Sequence, residues 1–402
     1  MNLVIDKKNC CGCGMCAQVC SKHAITMEKD PYGFIYPIID QEKCIECGAC
    51  KKKCAFEKEP DVSESIAAFA AANRDEKQTE KSTSGGIFYT LAKKVLSDGG
   101  IVCGTGLTPE FDAKVMMVNT LEELEKLQGS KYVQSSMEDV YSKIKALLEE
   151  GRTVLFGGTP CQVAALKKYV GNQNNLFLVD LVCHGTPNNQ MFKDYLKYLE
   201  KEKKVQVLKF VFRDKKYGQD NAGSIVYRKY NAEKAERVYQ YEHSYYSLFL
   251  KGVIFRESCY QCPYAQGNRC GDITICDFWG LEKVQPSVYK ALKQAGVKAI
   301  SGILINTERG MECFNQIAPD LISYRVRPRD VMQHNPQLIH PFDSCDSNLR
   351  NIILENYCNK GYSSVEQIYR SRFGKSILVR KIGRLFPRSL VVFVASIKEK
   401  IR

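Results

Sequence analysis

The arrangement of apolar and polar positions divides this chain of 402 residues into blocks with different grammars. Thr153–Phe156 reads TVLF and Leu176–Val182 reads LFLVDLV, almost without polar interruption. Short runs of that kind suit strands buried on both faces. The first ends in Gly157-Gly158-Thr159-Pro160-Cys161-Gln162 and the second in Cys183-His184-Gly185-Thr186-Pro187. Helical spacing follows through Val163, Leu166 and Lys168, and again over Phe192–Leu199. Strand, polar turn and helix in succession is α/β logic, and ligands gather beyond the carboxyl ends of such strands. A further helix is predicted over Ile87–Leu96, after the small polar loop Ser82-Thr83-Ser84-Gly85-Gly86.

Other segments are plainer. Ser65–Asn73, SIAAFAAAN, reads as an edge strand or a short helix. Val207–Phe212 and Ser224–Tyr230 are strand-like, with the polar stretch Arg213–Ala222 between them. Ala299–Asn306 is a late strand that turns at Arg309-Gly310 into a helix through Cys313–Ile317; Asp346–Tyr357 is helical. Near the front, Tyr32–Ile39, with Pro31 and Pro37, reads as a hairpin.

Cysteine spacing sharpens the picture most. Cys10, Cys13, Cys16 and Cys20 follow C-x2-C-x2-C-x3-C, and Cys44, Cys47, Cys50 and Cys54 repeat it. Two such combs are the ferredoxin pattern for two [4Fe-4S] clusters, with a zinc module as the competing reading. The fourth cysteine of each comb is expected to cross over. That assigns Cys10, Cys13, Cys16 and Cys54 to one cluster and Cys44, Cys47, Cys50 and Cys20 to the other. Ser21 and Ala55 stand where the pattern has proline, and Cys11 is an extra thiol read as a non-ligand.

Composition adds bounds. Nineteen cysteines in a chain of this length, beginning without an apolar leader, suggest a reducing, cytoplasmic setting rather than a disulfide scaffold. The net charge is +13, but Arg370–Arg402 alone holds ten Lys or Arg against Glu399. The remainder is only mildly basic, so nucleic-acid binding is not expected. The apolar run Leu390–Ile397 is too short to span a bilayer, and Pro387 interrupts the loosely amphipathic spacing of Ile377, Leu378, Lys381, Ile382 and Leu385. Peripheral contact with the inner face of a membrane, a packed helix and a partner-docking helix all remain open for this tail.

The Ser82–Gly86 loop suits a phosphate at a helix start or an ordinary N-cap. Cys259, Cys262, Cys270 and Cys276 fall within eighteen residues, and Cys161 and Cys183 sit at strand exits, so a third cluster is a candidate. Its reading competes with active-site or packing thiols.

In combination, STSGG at Ser82–Gly86, GSKYVQS at Gly129–Ser135, LFGGTPCQVAAL at Leu155–Leu166, VDLVCHGTP at Val179–Pro187, FRDKKYG at Phe212–Gly218, CYQCPYA and GDITICDFWG resemble the family of the beta subunit of the deazaflavin-coenzyme (F420) hydrogenase and its dehydrogenase relatives. The resemblance implies an α/β (α+β) flavin-binding body of the hydrogenase beta-subunit type, preceded by a small bacterial-type 2[4Fe-4S] ferredoxin domain. The boundaries follow: residues 1–60 the ferredoxin domain, 61–81 a connector, 82–361 the FAD-binding body and 362–402 the basic tail. It implies FAD lined by Ser82, Ser84, Gly85, Gly86, Lys131, Tyr132, Gln134 and Thr159. Cys161, Cys183, Cys259 and Cys262 would lie near it, on a third [4Fe-4S] cluster if one exists.

Clusters carry single electrons and hydride chemistry needs two, so a flavin is the natural converter. Lys131 is a candidate for stabilising charge on the flavin, or a solvated lysine. His184 is a candidate proton donor, or a structural histidine. Asp214 and Lys215 are candidates for substrate binding or for closing a loop as an ion pair. The implied function is an iron–sulfur flavoprotein oxidoreductase linking a low-potential, ferredoxin-like partner to a small organic or deazaflavin substrate. The competing reading is a non-catalytic electron-transfer subunit docked to a partner enzyme. Homo-oligomerisation is open.

Overall fold

The computed structural model describes residues 4–56, 59–215, 224–230, 235–239 and 244–383. Most of the polar stretch expected before Ser224, and the apolar run with Pro387 in the tail, lie outside them.

At the front, β1 (Ile25–Lys29) pairs antiparallel with β2 (Ile35–Ile39), as the hairpin reading requires. Asp30 closes the turn. Its Oδ1 accepts the backbone N–H groups of Tyr32 (3.0 Å) and Phe34 (2.9 Å), and Oδ2 accepts Lys7 Nζ at 3.0 Å. Short helices Met15–Gln18 and Ala49–Lys53 carry the two cysteine loops.

The body contributes β3 (Ala67–Asn73), β4 (Ile101–Leu107), β5 (Ala113–Val118), β6 (Val154–Gly158), β7 (Leu176–Leu181), β8 (Val205–Val211), β9 (Ser224–Lys229), β10 (Ala235–Tyr239), β11 (Ile273–Asp277), β12 (Ser301–Ile305) and β13 (Leu321–Val326). Eight form one sheet in the order β13-β3-β12-β11-β7-β6-β4-β5. Its centre, β4-β6-β7-β11, is parallel. Side chains alternate across it. Val102, Leu155, Val179, Ile273 and Ile303 meet the helices Ile87–Ser97 and Glu308–Ile317 on one face. Cys103, Phe156 and Leu178 meet the helices Val140–Glu149 and Pro160–Val170 on the other. The head inserts Met15 and Ala55 into that second layer.

The segment SIAAFAAAN is a strand, but not at an edge: β3 is bonded to β12 and to β13. Its alanines are fully buried, and Asn73 donates its N–H to Gly85 O at 2.7 Å. Small side chains let the Ser82–Gly86 loop lie against the sheet, a packing demand that propensity cannot reveal.

The antiparallel ribbon β8-β9-β10 packs an aromatic core in which Phe192, Tyr195, Phe210, Phe212, Tyr245 and Phe249 are all buried. The helix Tyr362–Gly383 begins there too, with Tyr362, Val365 and Tyr369 buried against it. The packed body thus continues past the boundary read from sequence after Gly361, because every fourth or third residue at the helix start is apolar and faces Tyr195 and Tyr245. Among the described residues, no helix is long and apolar enough to cross a membrane.

Candidate cofactor and cluster sites

A cavity of about 400 Å³ opens at the carboxyl ends of the parallel strands. Gly157 and Gly158 of β6, Leu181 of β7, Asp277 of β11 and Thr105 of β4 reach it. The Ser82–Gly86 loop forms one side, and Gly86 takes φ +83° as the chain turns into the helix Ile87–Ser97. The first N–H groups of a helix have no intrahelical acceptor and suit an anion. Residues 129–135 cross the opening. Phe88, Tyr132, Phe249 and Trp279 supply aromatic walls, with Tyr132 stacked on Phe249 at 4.6 Å between centroids.

Aromatic walls beside a helix start are the features that a flat ring and a phosphate would use. Of the eight residues expected to line a flavin, Ser82, Ser84, Gly86, Lys131, Tyr132, Gln134 and Thr159 line this cavity. Gly85 does not. Its N–H donates to Ser301 Oγ at 2.8 Å, and a Cβ there would meet Ala71 O at 2.5 Å, so it serves the approach of loop to sheet.

The two residues singled out for chemistry are held by the protein itself. Lys131 Nζ donates to Lys126 O (3.1 Å) and Gln128 O (2.9 Å); burial, aided by Lys209, pushes its pKa down to about 7. His184 lies edge-on to Phe249, Phe255 and Phe342, with Nε2 3.3 Å from Leu250 O. Burial lowers its pKa, so the neutral ring is favoured. Lys215 and Asp214 are not among the residues that line the cavity. Lys215 Nζ donates to the carbonyls of Thr79 and Ser84 and straps the loop; Asp214 accepts Ser224 Oγ at 2.5 Å.

Arg213, one residue earlier, is the group that reasoning from sequence passed over. It lines the cavity, pairs with Asp277 at 3.0 Å and lies 5.5 Å from the Trp279 ring centroid. The FRDKKYG and CDFWG motifs held the signal, since each places a charged residue beside an aromatic one, but their juxtaposition needs the fold.

Cys11, Gly12 and Cys13 of the first comb also line this cavity. The head is fastened to the body through its cluster loops. Gln134 Nε2 donates to Cys11 O (2.9 Å), Tyr141 OH to Cys13 O (3.0 Å), Lys168 Nζ to Cys54 O (3.2 Å) and Tyr264 OH to Ala55 O (2.7 Å). Cys10 and Cys16 each feel the charge of Cys13 and Cys54, whereas Cys50 feels Cys20 and Cys44. Cys54 thus stands near Cys10 and Cys16, and Cys20 near Cys44 and Cys50. Among the described residues no three His, Cys, Asp or Glu side chains converge on one metal-ion position. A cubane instead seats each thiolate on its own iron.

A third group lies between head and sheet. Burial raises the Cys183 and Cys262 thiols; Cys183 also feels Cys259, Cys161 and Cys262. Cys161 and Cys183 reach the cavity; Cys259 and Cys262 are not among its lining residues. Cys11 bridges, with side-chain hydrogen bonds to Cys13 and Cys161. Cys270 instead turns to Asp180 Oδ2 at 3.3 Å. Asp180 is paired at 3.1 Å with Arg269, and both side chains are shut off from solvent. Arg269 also binds the carbonyls of Tyr264 (3.0 Å) and Gln266 (3.1 Å), fixing the segment that carries Cys262 against β7.

Comparison with known proteins agrees with this anatomy. Residues 9–58 match the 4Fe-4S dicluster domain. Residues 68–142 match the coenzyme F420 hydrogenase/dehydrogenase beta subunit N-terminal model, and residues 151–324 its C-terminal counterpart. A chain of the F420-reducing [NiFe] hydrogenase complex from Methanosarcina barkeri is 19% identical, over 77% of this chain and 94% of that one, with a TM-score of 0.42. No curated protein matches. The two halves of the family model together span more than half of the sequence, behind an iron–sulfur head. The chain belongs to the coenzyme F420 hydrogenase/dehydrogenase beta-subunit family of oxidoreductase subunits.

Proposed function

We propose that the chain is an iron–sulfur flavoprotein oxidoreductase. Electrons would enter from a low-potential, ferredoxin-like partner, cross two [4Fe-4S] clusters, and reach FAD and an organic or deazaflavin substrate. One observation carries this reading: the loop holding Cys11, Gly12 and Cys13 is at once a cluster loop and a wall of the cavity. Cys10, Cys13, Cys16 and Cys54 would hold the inner cluster, and Cys20, Cys44, Cys47 and Cys50 the outer one. Cys161, Cys183, Cys259 and Cys262 are the candidate ligands of a third.

When bound, FAD interconverts single electrons and hydride pairs. The chain's own contribution is orientation. Ser82, Ser84 and the helix start at Ile87 would bind the pyrophosphate. Tyr132, Phe249 and Trp279 would fix the ring and exclude water. Arg213 supplies positive charge at the wall, held in place by Asp277.

His184 favours a second reading. It lines the cavity, but its Nε2 is engaged by Leu250 O and its ring is held edge-on to three phenylalanines, so that nitrogen is not free to serve a substrate. An electron-transfer subunit whose partner holds the substrate would need no proton donor. Anaerobic preparation with iron, sulfide and flavin analysis tests both. Eight or twelve irons with one FAD, and bleaching of that flavin by reduced ferredoxin, support the common core. Turnover of a free hydride acceptor by the isolated chain then supports the enzyme; bleaching with turnover only after a partner is added supports the subunit. Zinc, or no acid-labile sulfide, overturns both.

A further inference from the structure

Arg256 is the most deeply buried charge at the junction of head and body, with 1% of its surface exposed. Every acceptor around it is neutral. Nη1 donates to Cys10 O at 3.0 Å, Nη2 to Ile35 O at 2.6 Å and to Gln134 Oε1 at 3.1 Å, and Nε to Gln134 Oε1 at 3.2 Å. The guanidinium lies 4.4 Å from the Tyr36 ring centroid and 5.5 Å from that of Phe34. Among the described residues no carboxylate pairs with it, although the equally buried Arg269 has Asp180. Gly12 leaves the room it occupies, since a Cβ there would stand 2.6 Å from Nη2.

A buried cation without an anion is costly, so such groups are normally paired. The site facing this one is the loop of Cys10, Cys13 and Cys16. Four thiolates on a cubane leave a net negative charge, which grows on reduction. We propose that Arg256 is the counter-ion of the inner cluster and raises its reduction potential relative to the outer one. This rests on the reading of the combs as cubane ligands.

The physical need is specific. Burial alone disfavours reduction of the inner cluster, because the added electron enters a low-dielectric site. The outer comb differs: Cys47 and Ile45 are exposed, and water and salt screen its charge. Without compensation, an electron arriving at the outer cluster would face an uphill step inward. A fixed guanidinium offsets that penalty for the inner cluster alone. The step moves one electron, oxidising the outer cubane and reducing the inner one, and neither makes nor breaks a bond.

The test is an anaerobic redox titration of the full chain followed by electron paramagnetic resonance, on Arg256→Gln and Arg256→Lys. Iron and sulfide are measured on every sample. The expected result for Arg256→Gln is a lower potential for one cluster by at least about 59 mV, a tenfold change in its reduction equilibrium, with the other unmoved. Arg256→Lys keeps the charge and restores most of the shift. Should Arg256→Gln lose its clusters, Gln134→Glu supplies the same readout, because a carboxylate beside an intact Arg256 cancels its field and lowers the same potential. Full cluster content with both potentials unchanged, or both lowered equally, overturns the inference. Wild-type protein lacking acid-labile sulfide overturns the cluster reading instead.

Discussion

In Gly157→Ala, a methyl group would be added at the floor of the cavity, directed at Phe88. Its carbon would lie 3.0 Å from ring atoms Cδ2 and Cζ, and closer still to Cε2. Ordinary carbon–carbon contact is about 3.5–4.0 Å, so the ring must retreat by roughly an ångström or more to free Cε2. Phe88 itself lines the cavity, which gives it somewhere to go when the space is empty. With flavin in place that retreat is blocked, and the overpacking cost of about 1–3 kcal/mol falls on the bound state. The expected outcome is a loss of flavin affinity of about 5- to 150-fold, with little change in the stability of the flavin-free protein. Trp279 is the single tryptophan and lines the same cavity, so quenching of its emission reports FAD titration directly. Thermal unfolding of the flavin-free protein gives the second readout. Phe88→Leu in the same chain removes the colliding ring and is expected to recover affinity. Equal FAD affinity in wild type and Gly157→Ala, within twofold, refutes this account of the cavity.

Three further outcomes follow from the geometry. Cys54→Ala is expected to abolish the same paramagnetic signal as Cys10→Ala, and Cys20→Ala the same signal as Cys44→Ala; if Cys20→Ala pairs with Cys10→Ala instead, the crossed grouping is wrong. Asp180→Ala strands the buried Arg269 guanidinium and is expected to cost about 3–5 kcal/mol, read as a lower midpoint in denaturant, and an unchanged midpoint excludes a stabilising pair. Burial depresses the pKa of His184 in the folded state, so the unfolded chain binds the proton more readily. Stability is then complete above about pH 6.5 and declines as pH falls through the lower folded value; His184→Gln is expected to flatten that decline between pH 7 and 5, and an identical slope in both proteins removes His184 as its source.

The candidate site was legible where its chemistry is written within a few residues. The combs are such a case, because loop geometry fixes ligand spacing locally, and the apolar runs at Val154 and Leu176 mark central parallel strands for the same reason. STSGG and GSKYVQS marked two of the segments that line the cavity. Other assignments needed long-range packing. Ala67–Asn73 is rich enough in alanine to suit a helix, and only its two ladders make it an internal strand. Lys131 and His184 both reach the cavity as their motifs suggested, but only the fold shows the carbonyls that each also engages.

Sequence by itself determined the iron–sulfur head, the α/β rhythm of the body and the family, since each rests on contiguous patterns with a short physical range. Tertiary structure decided which cysteines stand together, that Arg213 rather than Lys215 reaches the cavity, and that Arg256 ends beneath a loop almost 250 positions earlier in the chain. Burial and electrostatics depend on distance in space, and spacing along the chain sets that distance only within a single loop, strand or helix.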